Sequence, residues 1–225
     1  MQAVILAAGF GLRLRPLTET TPKALIRVGG KPIIEHTLAV LPAVIDECIV
    51  VVHHLGECIQ AHLGERWGDR RIRYVTQGDL LGTGHAIHAA RELLHGAFLV
   101  CNGDDLYRAA DLERMVTHDL AIMLCDLEWP VRAGAPICDM AGRLLEIRED
   151  TETTFVNAGC YMLDERFFRY PLVQLPGRNE YGLPQTLVCV ARDHAVATVR
   201  TNFWVPVGTP EELALAQQRF ALLTP

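Results

Sequence analysis

The sequence predicts an α/β fold: a Rossmann-like, mostly parallel sheet with helices on both faces and a small β-rich lid. Three observations predict it. Apolar, β-branched runs alternate with helical patterns through residues 1–125. Two segments of chemical interest, AAGFG and NGDD, follow predicted strand ends, where open α/β sheets bind ligands. After residue 130, short β-like pieces punctuated by Gly134 and Gly142 replace the alternation.

Gln2 to Ala7 is a short apolar run, as expected of a buried strand, and the loop GFGLRLRPLTETTPK follows it. Residues 32–41 read as a helix, with Pro32 at its start, where the missing N–H costs no bond. ECIVVVHH is a second buried strand, residues 55–63 a helix, and RIRYV a strand. Residues 83–94 read as a helix, AFLVCNGD as a strand with a polar end, residues 111–118 as a helix and DLAIMLCDLE as a strand. Beyond them, APICD, RLLEIRE, FVNAGCYML and HAVATVRT are β-like. Pro210 opens a last helix, PEELALAQQRFALL, with Glu211 and Glu212 in its first turn, where the helix dipole favours acids. No internal repeat or low-complexity linker occurs. We therefore expect one domain over residues 1–225, with residues 1–125 as one half and residues 126–225 as a second half on the same sheet.

Composition narrows the function classes. The chain has 225 residues, 50% hydrophobic and 21% charged, with a formal net charge of −6. An acidic balance argues against a dedicated binder of nucleic acid or anionic membrane, which needs basic surface. No apolar run is long enough to span a bilayer. The seven cysteines lie at 48, 58, 101, 125, 138, 160 and 189, without a CxxC pair and several within apolar runs. Reduced, buried thiols and no charged leader before the first apolar run lead us to expect a cytoplasmic protein.

The loop from Leu6 to Lys23 carries the first chemistry. A polyphosphate needs bare backbone N–H groups, close approach and cations. Leu6, Ala7, Ala8, Gly9 and Gly11 offer backbone; Arg13, Arg15 and Lys23 offer charge. The third glycine of a dinucleotide fingerprint and the GK[ST] of a P-loop are both missing. On residue chemistry alone, a Gly/Pro-rich connection with solvated arginines fits as well.

The whole string LAAGFGLRLRPLTETTPKAL, followed by GGKPII, resembles the signature of the sugar-1-phosphate nucleotidyltransferases. The resemblance implies that the loop wraps a triphosphate, that Arg13 stabilises the pyrophosphate leaving group and that Lys23 contacts the reacting phosphates. Gln77, followed by LGTGHA over residues 81–86, resembles the uridylyltransferases that make UDP-N-acetylglucosamine. It implies that Gln77 and Gly82 read uracil and that Thr83 lines the site; a plain helix N-terminus with a Gly-Thr cap is the alternative.

CNGDDLY places carboxylates after a strand, where they can hold Mg²⁺ or form an Asp-rich turn. The family pattern makes Asp104 the metal ligand, with Asp105 as an accessory. A second family ligand precedes the motif [IV]-G-T-P-E; here that position is Pro206, which has no donor, and Asn202 stands nearby. On the sugar side, RAGAPI, EIRED, VNAGCY and NEYGLPQTL resemble family segments, the last altered at Pro184 and Gln185. The first three imply that Gly134, Glu149 and Asn157 line a sugar pocket, with Asp150 where a lysine is common.

The implied reaction is Mg²⁺-dependent condensation of an NTP, with a lean to UTP, and a sugar 1-phosphate to give NDP-sugar and pyrophosphate. The nucleotide would bind the first half and the sugar the second. The expected partners are these two substrates, without nucleic acid or membrane, and the oligomeric state is open. Pro206 raises the alternative of a catalytically weakened regulatory module that binds nucleotide or nucleotide sugar. The altered sugar side raises nucleotidyl transfer to a non-sugar phosphate acceptor.

Overall fold

The computed structural model describes residues 1–220. Among these, eight strands form the central sheet. They are β1 (Gln2–Leu6), β2 (Glu47–Val52), β3 (Arg66–Trp67), β4 (Arg70–Thr76), β5 (Phe98–Asn102), β6 (Ala121–Cys138), β7 (Leu144–Leu163) and β8 (Ala197–Thr201). Their order is β8-β6-β7-β5-β1-β2-β4-β3. β1 pairs in parallel with β2 and β5, β2 with β4, and β6 with β8. β7 runs antiparallel between β5 and β6, and β3 is antiparallel at the edge. The mostly parallel sheet expected from the β/α alternation is therefore present, and strands from both halves of the chain share it.

The strands are continuous apolar runs because both faces are covered. Successive side chains point to opposite faces: Ala3, Ile5, Cys48 and Val50 enter one core, and Val4, Ile49 and Val51 the other. The first core is capped by α1 (Ile33–Val40), α2 (Gly56–Leu63) and α4 (Ala109–Met115) through Leu38, Ile59 and Leu112. The second is capped by α3 (Gly82–Ala89) and α5 (Leu183–Ala191) through Ile87 and Leu187. α6 (Pro210–Arg219) closes a third cluster with Leu14, Ile33 and Val205. Residues 221–223, where the sequence continues this helical pattern, lie outside the described residues.

Two features differ from the sequence reading. The helix expected over residues 83–94 ends at Ala89, and a 3-10 turn over Arg91–Leu93 follows. The separate β pieces after residue 130 are parts of two long strands, of 18 and 20 residues. Register shifts bend this pair, one of them between Arg148 and Thr151, and a bend breaks the apolar periodicity that a straight strand would show. The far ends of β6 and β7 form a two-stranded ribbon, the lid. Its tip returns to the sheet: Leu144 N donates to Val196 O (2.9 Å) and Thr198 Oγ1 to Gly142 O (2.7 Å).

Candidate active site

The carboxyl ends of β1, β4 and β5 open into one cleft of about 610 Å³. One wall is the glycine-rich loop. Leu6, Ala7, Ala8, Gly9 and Gly11 all line it, with Lys23. A Cβ at Gly9 would meet nothing within 4 Å, so the backbone there faces open space. Gly11 has φ +64°, and a Cβ would lie 2.8 Å from Thr18 Cγ2. Thr18 Oγ1 donates to Gly11 O (2.8 Å), which folds the loop onto itself.

Gln77, Gly82 and Thr83 line the second side. Gln77 is buried. Its Nε2 donates to Gly82 O (3.3 Å) and lies 3.2 Å from His85 Nδ1, a contact whose direction follows the imidazole tautomer. His85, within the LGTGHA string, thus makes a polar contact at this corner. Gly82 has φ +88°, and a Cβ there would meet Tyr181 O at 2.7 Å. Tyr181 N donates to Leu81 O (2.7 Å) and Leu183 N to Thr83 Oγ1 (3.1 Å). These bonds hold the start of α5 against α3 and make it the third wall, lined by Glu180, Tyr181, Gly182, Pro184 and Gln185. The resemblance of NEYGLPQTL marks this segment in the sequence but does not give the helix α5. Leu183, Leu187 and Val190 at helical spacing, with Pro184 in the first turn, were the available signal.

Between these walls, Asn102, Gly103 and Asp104 form the floor. Lys23 Nζ donates to Asp104 Oδ2, and both side chains are mostly shielded from solvent. Asp105 does not join them. It is buried beneath the floor, where Asn102 Nδ2 donates to its Oδ2 at 3.0 Å. Tyr107 Oη lies 3.4 Å from the same oxygen and donates to Gly159 O (3.0 Å). Asp105, expected as an accessory metal ligand, is therefore placed as an internal hydrogen-bonding group beneath the floor and does not line the cleft.

Burial, then the adjacent Asp104 charge, pushes the Asp105 carboxyl up to about 8, against pulls from the Trp204 indole, Asn102 and Lys23. Trp204 Nε1 is itself buried with no partner at hydrogen-bonding length. The fold therefore keeps a proton that the unfolded chain releases above the ordinary value of 3.8. The contribution of Asp105 to stability is therefore expected to fall as pH rises from about 4 to about 8. Asp105→Asn removes this proton and should flatten the decline of Tm over that window. Calorimetry of both proteins across it checks this; equal slopes would contradict it.

The remaining predicted residues are placed differently. Arg13 is exposed and does not line the cleft; a Cβ on Gly208 would meet its Nη2 at 2.6 Å. Arg15 is exposed as well. Gly134, Glu149 and Asn157 also lie outside the cleft lining. Glu149 reaches it indirectly: Gln185 Nε2 donates to Glu149 Oε1 (2.6 Å). Asn157 Nδ2 donates to Tyr161 Oη (2.6 Å), and Gly159 N donates to Asn157 Oδ1 (3.1 Å). A larger, shallower depression of about 920 Å³ runs along β4 and contains none of the predicted residues.

A family model for nucleotidyl transferases matches residues 2–124. The chain belongs to the nucleotidyl transferase family. It is 30% identical to the bifunctional protein GlmU of Methanocaldococcus jannaschii, with 97% of this chain and 54% of that protein covered. It is also 30% identical to the UTP–glucose-1-phosphate uridylyltransferase AglF of Haloferax volcanii, covering 97% of this chain and 96% of that one. The chain thus spans about half the length of the GlmU relatives it matches. Among solved structures, a Bacillus anthracis protein crystallised with sucrose, described as a candidate glucose-1-phosphate thymidylyltransferase, shares the fold. Its TM-score is 0.83, at 22% identity, covering 97% of this chain and 94% of that one.

Pro206, at a ligand position of the nucleotidyl transferase pattern, and its neighbour Asn202 stand out in the structure. Pro206 pairs across from Asp105 in a short antiparallel bridge, and Val207 N donates to Asp104 O (3.0 Å). Pro206 therefore sits beside the floor, with no donor atom to offer. Asn202 does not reach inward: it is exposed, and its Oδ1 accepts from Arg108 Nη1 (3.0 Å).

Proposed function

We propose that this chain condenses a nucleoside triphosphate with a sugar 1-phosphate, releasing pyrophosphate and an NDP-sugar. The observation that carries the reading is the convergence of the glycine-rich loop, the Lys23–Asp104 pair and the Gln77–Gly82 corner on one cleft. The first half of the chain, residues 1–125, would hold the nucleotide, and residues 126–225 the sugar. The AglF relative, whose name carries UTP and glucose 1-phosphate over nearly its full length, supports a uridylyl donor and a hexose acceptor.

The acceptor phosphate attacks the α-phosphorus directly, so no protein nucleophile is required. Backbone N–H groups of residues 8–11 face the triphosphate, and Lys23 neutralises charge as the α–β bond breaks. Arg13, on the same loop, serves the departing pyrophosphate. Gln77 and Gly82 hold the base edge. Asp104 is the floor carboxylate available to Mg²⁺, and among the described residues no cluster of three or more His, Cys, Asp or Glu surrounds it. That donor set fits Mg²⁺, which binds through one or two carboxylates and completes its shell with phosphate oxygens and water. When bound, Mg²⁺ neutralises phosphate charge. All seven cysteines are free thiols, which suits a reducing cytoplasm.

Pro206 favours a second reading, a regulatory module that binds the same ligands with weak turnover. One assay separates the two: pyrophosphate release with Mg²⁺ on a panel of four NTPs and several sugar 1-phosphates, with phosphocholine as a non-sugar acceptor. The enzyme reading expects wild-type turnover that needs both substrates and is highest with UTP. A near-zero wild-type rate that rises strongly in Pro206→Asp would favour the regulatory module. Release with phosphocholine alone would move the acceptor outside the sugars.

A further inference from the structure

The Glu149–Gln185 contact is built by four local devices, and Gln185 stands at an altered position of NEYGLPQTL, to which the resemblance assigns no role. First, β6 and β7 slip register between the pairs Arg148↔Ala135 and Thr151↔Ala133, so Glu149 and Asp150 face the single residue Gly134. Such a bulge re-aims a side chain. Second, Asp150 takes φ +54°, and Arg132 on the facing strand grips its carboxylate, with Nη2–Oδ2 at 2.7 Å. Third, Gly134 leaves the space that Glu149 crosses: a Cβ there would stand 3.1 Å from Glu149 Oε1. Fourth, Gln185 lies across Gly182, where a Cβ would fall 1.7 Å from its Oε1.

The result is a chain of contacts from one substrate region to the other. Leu81 and Thr83, beside the nucleobase corner, bond the backbone of Tyr181 and Leu183. Two residues on, Gln185 lines the cleft and donates to Glu149 at 2.6 Å. A carboxylate accepts several bonds, so Glu149 keeps acceptor capacity while Gln185 holds it. An amide is suited to this place. It donates to the carboxylate without adding charge beside an anionic acceptor, whereas an acid at 185 would repel Glu149.

We infer that Gln185 is a positioning residue for the acceptor: it holds the Glu149 carboxylate of the lid at the rim of the nucleotide cleft, where it bonds the sugar hydroxyls. This rests on the proposed function. The test is steady-state kinetics with UTP and glucose 1-phosphate on wild type, Gln185→Glu, Gln185→Ala, Glu149→Gln and the double variant Glu149→Gln/Gln185→Glu. Gln185→Glu keeps the size of the side chain, and Gln185→Ala guards against a repulsion that unfolds the lid. Gln185→Ala should raise the KM for glucose 1-phosphate about tenfold, the scale of one lost bond to a charged group, with the KM for UTP within about twofold. Gln185→Glu should exceed that at neutral pH, and its effect should shrink in the Glu149→Gln background. An unchanged sugar KM in both Gln185 variants, equal rises in both KM values, or strict additivity with Glu149→Gln would overturn the inference and leave the proposed function standing. Absence of wild-type turnover would reject both.

Discussion

Lys23→Ala is expected to lower kcat by about 10²–10³-fold, the scale seen when a preorganised charge at a developing anion is removed. Two effects act together. The ammonium disappears from the cleft wall at which we propose the triphosphate binds, and Asp104 loses the cation that now neutralises it. The lysine is held rather than free: it opens a 3-10 turn over Lys23–Leu25, and its side chain is 14% exposed. A preorganised charge costs little reorganisation during the reaction, so its removal should appear in kcat more than in the KM for the nucleotide. Initial rates at saturating substrates, with a melting curve to show intact folding, check this. A loss below about threefold would remove Lys23 from the phosphate chemistry.

Gly159→Ala should be the most damaging single methyl in the molecule's floor. Gly159 has φ +68°, where an L side chain is strained. Its Cβ would fall 2.1 Å from Asn102 Nδ2 and 2.7 Å from Asp105 Oδ2, on the hydrogen bond that links them. The expected loss is about 3 kcal/mol, combining backbone strain with overpacking, or a Tm lower by roughly 6–10 °C. Gly142→Ala is the matched control. Gly142 also has positive φ (+74°), but a Cβ would meet nothing closer than 3.7 Å. It should lose the backbone cost alone, about 1–2 kcal/mol. Equal losses at the two sites would show that packing against the floor contributes nothing.

The contrast between these glycines also shows where the sequence was readable. Gly9, Gly11 and Lys23 stand within a single stretch of chain, and the resemblance of the whole string LAAGFGLRLRPLTETTPKAL to a family signature brings the loop into view. Strands such as Glu47–Val52 were equally plain, because a strand buried on both faces is a continuous apolar run. The opposite wall is legible only as the short, altered match NEYGLPQTL. α5 approaches the cleft through backbone bonds between residues about 100 positions apart, such as Leu183 N to Thr83 Oγ1, which leave no local pattern. Asp105 illustrates a second limit. Adjacent acids in NGDD look alike in sequence, but the chain turns at Gly103 and Asp104 before a two-residue strand begins at Asp105, which leaves Asp104 at the cleft and Asp105 in the interior. The lid was fragmented in the reading because its bulges interrupt the alternation on which strand recognition depends.

The central claim is that both substrates meet in this cleft and that the α-phosphorus passes to the acceptor. UTP labelled at the α-phosphorus, incubated with glucose 1-phosphate and Mg²⁺, tests it most directly. The account predicts label in the UDP-sugar, with one unlabelled pyrophosphate released per transfer and no release when either substrate is omitted. Label recovered in UMP, or retained in UTP across the full panel of sugar 1-phosphates with folded protein, would contradict it.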